Sequence, residues 1–152
     1  MTITERLRAL DISLPEAPQP LGAYIPSVKA GNLVFVSGTL PLREGKVLYP
    51  GKLGMEVSLE EGVAASRAAL LNSLAILRQE LGQLERINRI VKLGGFVASA
   101  PGFSQQPLVL NGASNLLFEL FGDKGRHARS AVGVAELPLN APVEIDLIVQ
   151  FG

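Results

Sequence analysis

The last quarter of the chain alternates apolar and polar side chains with a period of two. The apolar set is Val143, Ile145, Leu147 and Val149, and the intervening set is Glu144, Asp146, Ile148 and Gln150. Because successive side chains of a strand point to opposite faces, one face of this strand is mostly apolar and the other begins acidic. The pattern predicts a sheet covered on one face, and the rest of the chain has to supply that cover.

The N-terminal part predicts a short helix, an extended segment and a hairpin. Thr2 to Leu10 begins with a weak capping box and predicts the helix. The prolines between Leu14 and Pro20 cannot continue it, because proline lacks the amide hydrogen and fixes φ. The runs from Ala23 to Val28 and from Leu33 to Val36 flank Gly31-Asn32, a turn signal, and so predict two paired strands.

The middle of the chain predicts two helices separated by a strand. The run from Ser58 to Glu61 is a capping box that opens a helix with apolar residues at helical spacing, and Gly82 fits its C-cap. Ile90 to Ser99 predicts a strand, in which Gly94-Gly95 indicates a bulge or a close backbone approach. A second helix runs from about Pro107 to Phe121. Two final strands joined by a short polar turn complete an α+β fold with helices on one face of a mixed sheet.

Composition limits the classes of protein to which the chain can belong. Its 152 residues suffice for one domain, and 47% of them are apolar with a mean hydropathy of +0.30. No apolar run reaches the roughly 18 residues that span a bilayer, so we expect the excess apolar surface to be buried between subunits. The 14 basic and 14 acidic residues cancel, which argues against strong binding to nucleic acid.

Several kinds of site are excluded by the residue types present. There are no cysteines and only one His, so disulfides, thiol catalysis, zinc–thiolate sites and multi-His metal sites are ruled out. The sequence has no glycine-rich phosphate loop and no Ser-His-Asp arrangement. The N-terminus lacks the basic-then-apolar pattern of a signal peptide, and a cytoplasmic location is the default expectation.

A single Arg that precedes an apolar run is the first candidate for a functional residue. Arg129 lies between Ala128 and Ser130. An Arg at a strand start is ordinarily a surface residue, but its planar guanidinium is also the side chain best shaped to bind a carboxylate in a bidentate way. Glu144 and Asp146 share a face that is ordinarily solvated. If that face lines an interface, Arg129 is the natural partner for either carboxylate.

Three further positions have a structural and a functional interpretation. His127 is either a surface or hydrogen-bonded structural residue or a catalytic one. Tyr24 either packs in the core or directs its hydroxyl at a ligand. Ser37-Gly38, at the predicted end of the second strand, can offer a backbone N–H close to a ligand, because glycine permits close approach.

Taken together, these pieces resemble the RidA/YjgF family, which is also called the endoribonuclease L-PSP family. They occur in the family's order from about Pro18 to the end of the chain. The matching pieces are Leu21-Gly-Ala-Tyr24, Gly31 to Pro41, the helix ending at Gly82, Ala128-Arg129-Ser130 through Leu137-Pro138, and Val143-Glu144-Ile-Asp146. The longer N-terminal segment and the run from Gly125 to Ser130 resemble a divergent branch labelled “putative endoribonuclease, YjgF/chorismate-mutase-like”.

The resemblance implies a fold, an assembly and a reaction. The implied fold is α+β and chorismate-mutase-like (bacillus type), a mixed β-sheet with two main helices packed on one face. It comprises a single domain over residues 1–152, with residues 1–17 as an N-terminal extension. The implied assembly is a homotrimer with clefts between subunits. The implied reaction is hydrolysis of reactive 2-imino and 2-enamino acids to 2-keto acids and ammonia, without cofactor or metal. We expect a small carboxylate-bearing metabolite and other copies of the chain as partners, and neither a membrane nor nucleic acid.

The resemblance also assigns roles to residues of this chain. It maps a carboxylate-binding Arg onto Arg129 and a water-holding Glu onto Glu144. A ligand-site Tyr maps onto Tyr24, and a strand-end Gly maps onto Gly38, beside Ser37. A helix Asn followed four residues later by Glu fits Asn115 and Glu119, and Asn111 is a second candidate.

Three residues depart from the family pattern and concern the substrate more than the fold. Ala131 stands where deaminase members commonly have Cys, Ser or Thr, Thr39 replaces the usual Gln, and His127 is not a general family residue.

Two alternatives to the deaminase function stay open. One is a non-catalytic binder or sensor of small carboxylates, for which Glu144 is dispensable. The other is an endoribonuclease that uses His127 with Arg126 and the neighbouring Arg, which the zero net charge and the lack of an aromatic stacking surface weigh against.

Overall fold

A computed structural model of the chain describes residues 1–20 and 22–152. Leu21, the first residue of the Leu21-to-Tyr24 segment, lies outside the described residues. The secondary structure consists of α1 (Ile3–Ala9), β1 (Ser27–Ala30), β2 (Leu33–Thr39), β3 (Leu42–Arg43), β4 (Lys46–Val47), α2 (Leu59–Leu81), β5 (Ile87–Ala98), α3 (Gln106–Phe121), β6 (Ala128–Val134) and β7 (Val143–Phe151). No helix within the described ranges is long and apolar enough to cross a membrane.

The helices begin and end where the capping signals predict. The Ser58 hydroxyl accepts a hydrogen bond from the Glu61 amide at 3.2 Å, and the Glu61 carboxylate accepts one from the Ser58 amide at 2.9 Å. Helix α2 ends before Gly82, whose φ of 85° suits a residue without a Cβ. The same reciprocal box at Thr2 caps α1, and Pro107 lies in the first turn of α3. The predicted helices are therefore confirmed.

The five main strands form one mixed sheet in the order β1-β2-β7-β5-β6. Strands β5 and β6 are parallel, and the other neighbours are antiparallel. Helices α2 and α3 pack on one face, where the predicted apolar set of β7 is completely or almost completely buried. The predicted α+β architecture, with two main helices on one face of a mixed sheet, is confirmed.

Strand boundaries differ from the sequence prediction at the first hairpin. Strand β1 begins at Ser27 rather than Ala23, because Pro26 lacks the amide hydrogen that a strand ladder needs. Strand β2 continues to Thr39, and its pairing with β7 shifts register between Val36 and Thr39. Ser37-Gly38 therefore forms a β-bulge inside the strand rather than its end.

The glycine pair of β5 is explained by close approach and not by a bulge. The pairing of β5 with both neighbours is continuous from Lys92 to Val97, and a Cβ on either glycine would collide with a neighbouring side chain. Asp146 lies over Gly94, and Leu110 of α3 lies over Gly95. The register shifts of β5 occur earlier, between Ile87 and Lys92.

The last two strands are not neighbours in the sheet. Strand β7 lies between β2 and β5, and β6 lies at the edge. Their connection, residues 135–142, includes a 3₁₀ turn at Pro138–Asn140 and passes the end of β5. The polar segment between them is thus a crossover rather than a tight turn. As a result, β7 and β5 lie between β2 and β6 in the sheet.

Candidate functional site

Arg129 lies at the β6 edge of the sheet with its side chain on the helix-covered face. It pairs with Leu93 of β5, which pairs with Leu147 of β7, and both leucines are buried. The Nη1 of Arg129 donates to the Oδ1 of Asn111 at 2.9 Å and to the Oγ of Ser114 at 3.1 Å. These two bonds engage both hydrogens of Nη1. Within the described part of the chain, Nε and Nη2 have no partner, so one complete edge of the guanidinium is left for a ligand.

His127 extends this network behind Arg129. Its Nδ1 lies 2.6 Å from the carbonyl oxygen of Gly125, and its Nε2 lies 2.9 Å from the Oγ of Ser114. A carbonyl oxygen can only accept, so Nδ1 carries a hydrogen, and in the tautomer with that single ring hydrogen Nε2 accepts the Ser114 hydroxyl hydrogen. Both ring nitrogens are thus engaged, which agrees with the interpretation of His127 as a hydrogen-bonded structural residue. We call Arg129, Asn111, Ser114 and His127 the Arg129 cluster.

Glu144 lies on the opposite, open face of the sheet. It pairs with Phe96 of β5 and leans against Gly38 of β2, where an added Cβ would lie 3.0 Å from its carboxylate carbon. The side chain is half-buried, and no donor among the described residues bonds its carboxylate. Burial raises the pKa of Glu144, and the nearby charge of Asp146 raises it further. The result is a carboxylate suited to holding a proton or a water molecule.

Asp146 shares this face but is better satisfied. Burial raises the pKa of its carboxyl group, while the backbone N–H of Gly94 and the charge of Lys92 act in the opposite direction. The expected pairing of Arg129 with Glu144 or Asp146 does not occur within one chain. Arg129 aligns with the buried leucines of β5 and β7, and the two acidic residues alternate with those leucines, so they face the other side of the sheet.

Tyr24, Ser37 and Gly38 come together along a groove of about 580 Å³. The Ser37 hydroxyl donates to the carbonyl oxygen of Ile25 at 2.7 Å. Tyr24 is 53% exposed, so it is not a core residue. The groove is also lined by prolines of the segment before Leu21 and by Asn72 of α2, whose amide donates to the carbonyl oxygens of Leu40 and Leu42. Asn72 was not identified from the sequence, although an Asn inside an otherwise apolar helix is a signal that could have found it.

Of the two candidate asparagines, Asn111 is the one that contacts Arg129. Asn115 is exposed and makes no hydrogen bond to it. Ser114 was not identified from the sequence, although it lies three residues after Asn111 and therefore on the same side of α3. Ala131 lies two residues beyond Arg129 on the same face and packs partly buried against the core.

Of the residues considered for RNA cleavage, His127 and Arg129 meet at Ser114, whereas Arg126 is engaged elsewhere. The guanidinium of Arg126 lies 5.0 Å from the ring centre of Phe118 and forms an ion pair with Asp123 at 3.3 Å. The ring of His127 is engaged on both sides by Ser114 and Gly125. Among residues 1–20 and 22–152, no group of three or more His, Asp or Glu side chains is placed to hold a metal ion.

Arg129 and Glu144 lie on different strands and on opposite faces of one sheet. Arg129 is on the edge strand β6, and Glu144 is on the central strand β7, two strands away with β5 between them. Two strand spacings amount to about 10 Å, and the two side chains also leave from opposite faces. A small molecule therefore cannot touch both Arg129 and Glu144 of the same chain.

Comparison with known proteins identifies the family. The family model described as “YjgF/chorismate_mutase-like, putative endoribonuclease” matches residues 4–151. Protein TCP17 of Trypanosoma cruzi is 43% identical over 149 residues, 97% of this chain and 93% of that protein. The 2-iminobutanoate/2-iminopropanoate deaminase of Dermatophagoides farinae is 33% identical over 143 residues, 91% of this chain and 93% of that protein. The crystal structure named “putative endoribonuclease” from Shewanella oneidensis is 38% identical, with a TM-score of 0.96 over 99% of this chain and 100% of that one. The fold, with two helices on one face of a mixed sheet, agrees with this match along nearly the whole chain. The chain belongs to the YjgF/chorismate mutase-like family, the RidA family.

Proposed function

We propose that the protein hydrolyses 2-imino and 2-enamino acids to 2-keto acids and ammonia in clefts between subunits of a homotrimer. The observation that carries the proposal is the division of the site between two regions. Arg129 offers an open guanidinium edge at β6, and Glu144 offers an unpaired, half-buried carboxylate beside β2. Each region is incomplete by itself, and a second copy of the chain can bring Glu144 to Arg129.

The chemistry follows from these two side chains. Arg129 binds the substrate carboxylate side-on through Nε and Nη2, which orients the imine carbon. Glu144 removes a proton from a water molecule as the water oxygen bonds to the carbon of the protonated imine, and the C=N π electrons move to the nitrogen, which becomes an amine. The Glu144 carboxyl group then returns its proton to that nitrogen, and as the carbon–nitrogen bond breaks the hydroxyl proton passes to the Glu144 carboxylate, leaving a keto group and ammonia. An imine is already electrophilic, so the reaction uses no cofactor.

The open face of the sheet supports an assembly. It carries Val28, Phe35 and Val132, which are large apolar residues between 40% and 49% exposed in the single chain. Helices do not cover this face, and an apolar surface of this kind is typical of a face buried between subunits. The substrate class is supported by the deaminase relative that is 33% identical along most of its length.

The proposal is tested by measuring ammonia and 2-keto acid released from freshly generated 2-aminoacrylate. We expect Arg129→Lys, which keeps the charge but loses the planar fork, and Glu144→Gln each to lower kcat/KM by about a hundredfold or more. Ser104→Ala, an exposed change in the loop before α3, serves as the control and keeps wild-type turnover. No acceleration by the wild type, or full activity in Arg129→Lys, would overturn the proposal.

The same variants separate catalysis from binding alone. Calorimetry with 2-oxobutanoate on wild type and Glu144→Gln shows whether a carboxylate binds without turnover. Equal binding by both proteins, with no turnover by either, would identify a small-carboxylate binder or sensor. Cleavage of a defined RNA that is lost in His127→Ala would identify the endoribonuclease instead.

A further inference from the structure

Two residues of the Arg129 cluster have no role in the proposed reaction, yet one of them bonds Arg129 directly and the other bonds the first. Ser114 bonds Nη1 of Arg129 at 3.1 Å, and His127 bonds Ser114 at 2.9 Å. All three side chains are partly buried, and the chain of contacts ends on the backbone carbonyl of Gly125, in the short turn that follows α3. The guanidinium is therefore connected through two side chains to a fixed point of the backbone.

With a single hydrogen on the His127 ring, the hydrogen bonds of this network have one consistent direction. The Gly125 carbonyl accepts, so the His127 ring donates from Nδ1 and accepts at Nε2. The Ser114 hydroxyl therefore donates to His127 and presents a lone pair to Nη1 of Arg129. Asn111 presents a second acceptor to the same nitrogen, from one helical turn earlier in α3.

This arrangement determines which edge of the guanidinium a ligand can use. Nη1 has two hydrogens, and both are committed to α3 by Asn111 and Ser114. A carboxylate can then be bound in bidentate fashion only by Nε–H together with one hydrogen of Nη2. If the Ser114 oxygen were removed or turned away, the guanidinium could rotate. The Nε–Nη2 edge would then face the ligand only part of the time.

We propose that Ser114 and His127 are positioning residues for Arg129, which together lock the guanidinium so that its Nε–Nη2 edge faces the substrate carboxylate. This inference deepens the proposed function and rests on it for the identity of the ligand. It assigns a role to His127 that is neither a catalytic base nor a surface residue. Neither side chain touches the ligand in this arrangement, and each acts through Arg129.

The locking is tested directly by nuclear magnetic resonance of protein labelled with ¹⁵N-arginine. In wild type we expect separate, slowly exchanging Nη signals for Arg129, because its hydrogen bonds hinder rotation about the Cζ–N bonds. Ser114→Ala removes the acceptor, and His127→Phe keeps the ring shape but removes the acceptor at the Nε2 position. Both variants should average the signals. His127→Gln can place an amide oxygen near the Nε2 position and should keep them separate, whereas identical Arg129 signals in all four proteins would overturn the proposal.

The functional consequence is tested with substrate and with 2-oxobutanoate as the carboxylate probe. Arg129 binds the same carboxylate before and during the reaction, so the change should appear in KM and not in kcat. We expect Ser114→Ala and His127→Phe to raise KM and the Kd of the probe about three- to tenfold, as expected for one hydrogen bond, with kcat within about twofold. His127→Gln restores wild-type values, and Ser104→Ala leaves them unchanged.

The outcomes separate this inference from the proposed function. A wild type that turns over substrate, with unchanged KM in both Ser114→Ala and His127→Phe, would overturn the positioning role and leave the deaminase intact. A wild type that neither binds the probe nor turns over substrate, with the Arg129 signals responding as expected, would overturn the deaminase and leave the locking of Arg129 standing. Loss of kcat with unchanged KM in His127→Phe would contradict positioning and indicate direct catalysis.

Discussion

At the scale of single residues, the two carboxylates of β7 differ in what surrounds them. Asp146 has the backbone N–H of Gly94 and the charge of Lys92 to offset its burial. Glu144 has no such compensation, and Asp146 adds a like charge to the effect of its burial. The pKa of Glu144 is therefore raised by two causes that mutation can separate, because only one of them depends on Asp146.

This difference predicts a pH dependence of the proposed reaction. A general base works when it is deprotonated, so kcat/KM falls as the pH decreases through the pKa of Glu144, and this acid limb lies above the ordinary value of 4.5. Asp146→Asn removes the like charge, lowers the pKa of Glu144 and should move the limb to lower pH. The measurement is kcat/KM against pH, corrected for uncatalysed hydrolysis. An acid limb that does not move, or one that persists in Glu144→Gln, would remove Glu144 from the base role.

At the scale of secondary-structure elements, the helices are more predictable than the strands. Their ends depend on local chemistry, such as the reciprocal hydrogen bonds of Ser58 with Glu61. Strand neighbours depend on contacts between distant residues. Nothing local to β6 and β7 shows that β5 lies between them, and the small β3–β4 hairpin at Leu42–Val47 was not predicted, although the Glu44-Gly45 pair at its turn is a weak signal.

The cap of α2 predicts a measurable loss of stability. Ser58→Ala leaves an N-terminal amide of α2 without its side-chain acceptor and should lower the free energy of unfolding by about 1 kcal/mol. For a domain of this size that corresponds to a decrease in Tm of roughly 2–4 °C. Calorimetry at one fixed protein concentration measures it, with Ser58→Thr expected to keep most of the stability and Ser104→Ala all of it. A Tm of Ser58→Ala within the error of wild type would show that the cap contributes nothing.

At the scale of the whole molecule, the sheet has one face covered by helices and one face that no helix covers. Helices α2 and α3 cover the first with a continuous apolar core. The second face displays exposed Val28, Phe35 and Val132 together with the two carboxylates of β7. A homotrimer that buries part of this face would also join the two regions of the proposed site, so assembly and activity should be lost together.

This coupling is tested by placing a charge on the open face. Val132 is 45% exposed in the single chain, so Val132→Asp costs the isolated fold little, but an interface would bury the unpaired carboxylate at a cost of several kcal/mol. We expect sedimentation to change from a trimer to the 16.1 kDa chain, with loss of turnover. Ala64→Asp, on the exposed side of α2, should remain assembled and active. A fully active monomer would contradict the shared cleft.

The sequence by itself determined the element types, the helix ends and the apolar face of β7, because capping, periodicity and proline act between residues close in the chain. It also indicated Arg129 and Glu144, by residue type and by family resemblance. Only the tertiary structure decided that these two side chains leave from opposite faces of the sheet, that Asn111 rather than Asn115 contacts Arg129, and that Ser114 links His127 to it. These facts depend on the insertion of β7 between β2 and β5 and on the placement of α3 against β6. Such long-range packing is set by the burial of the whole core, which no local pattern encodes.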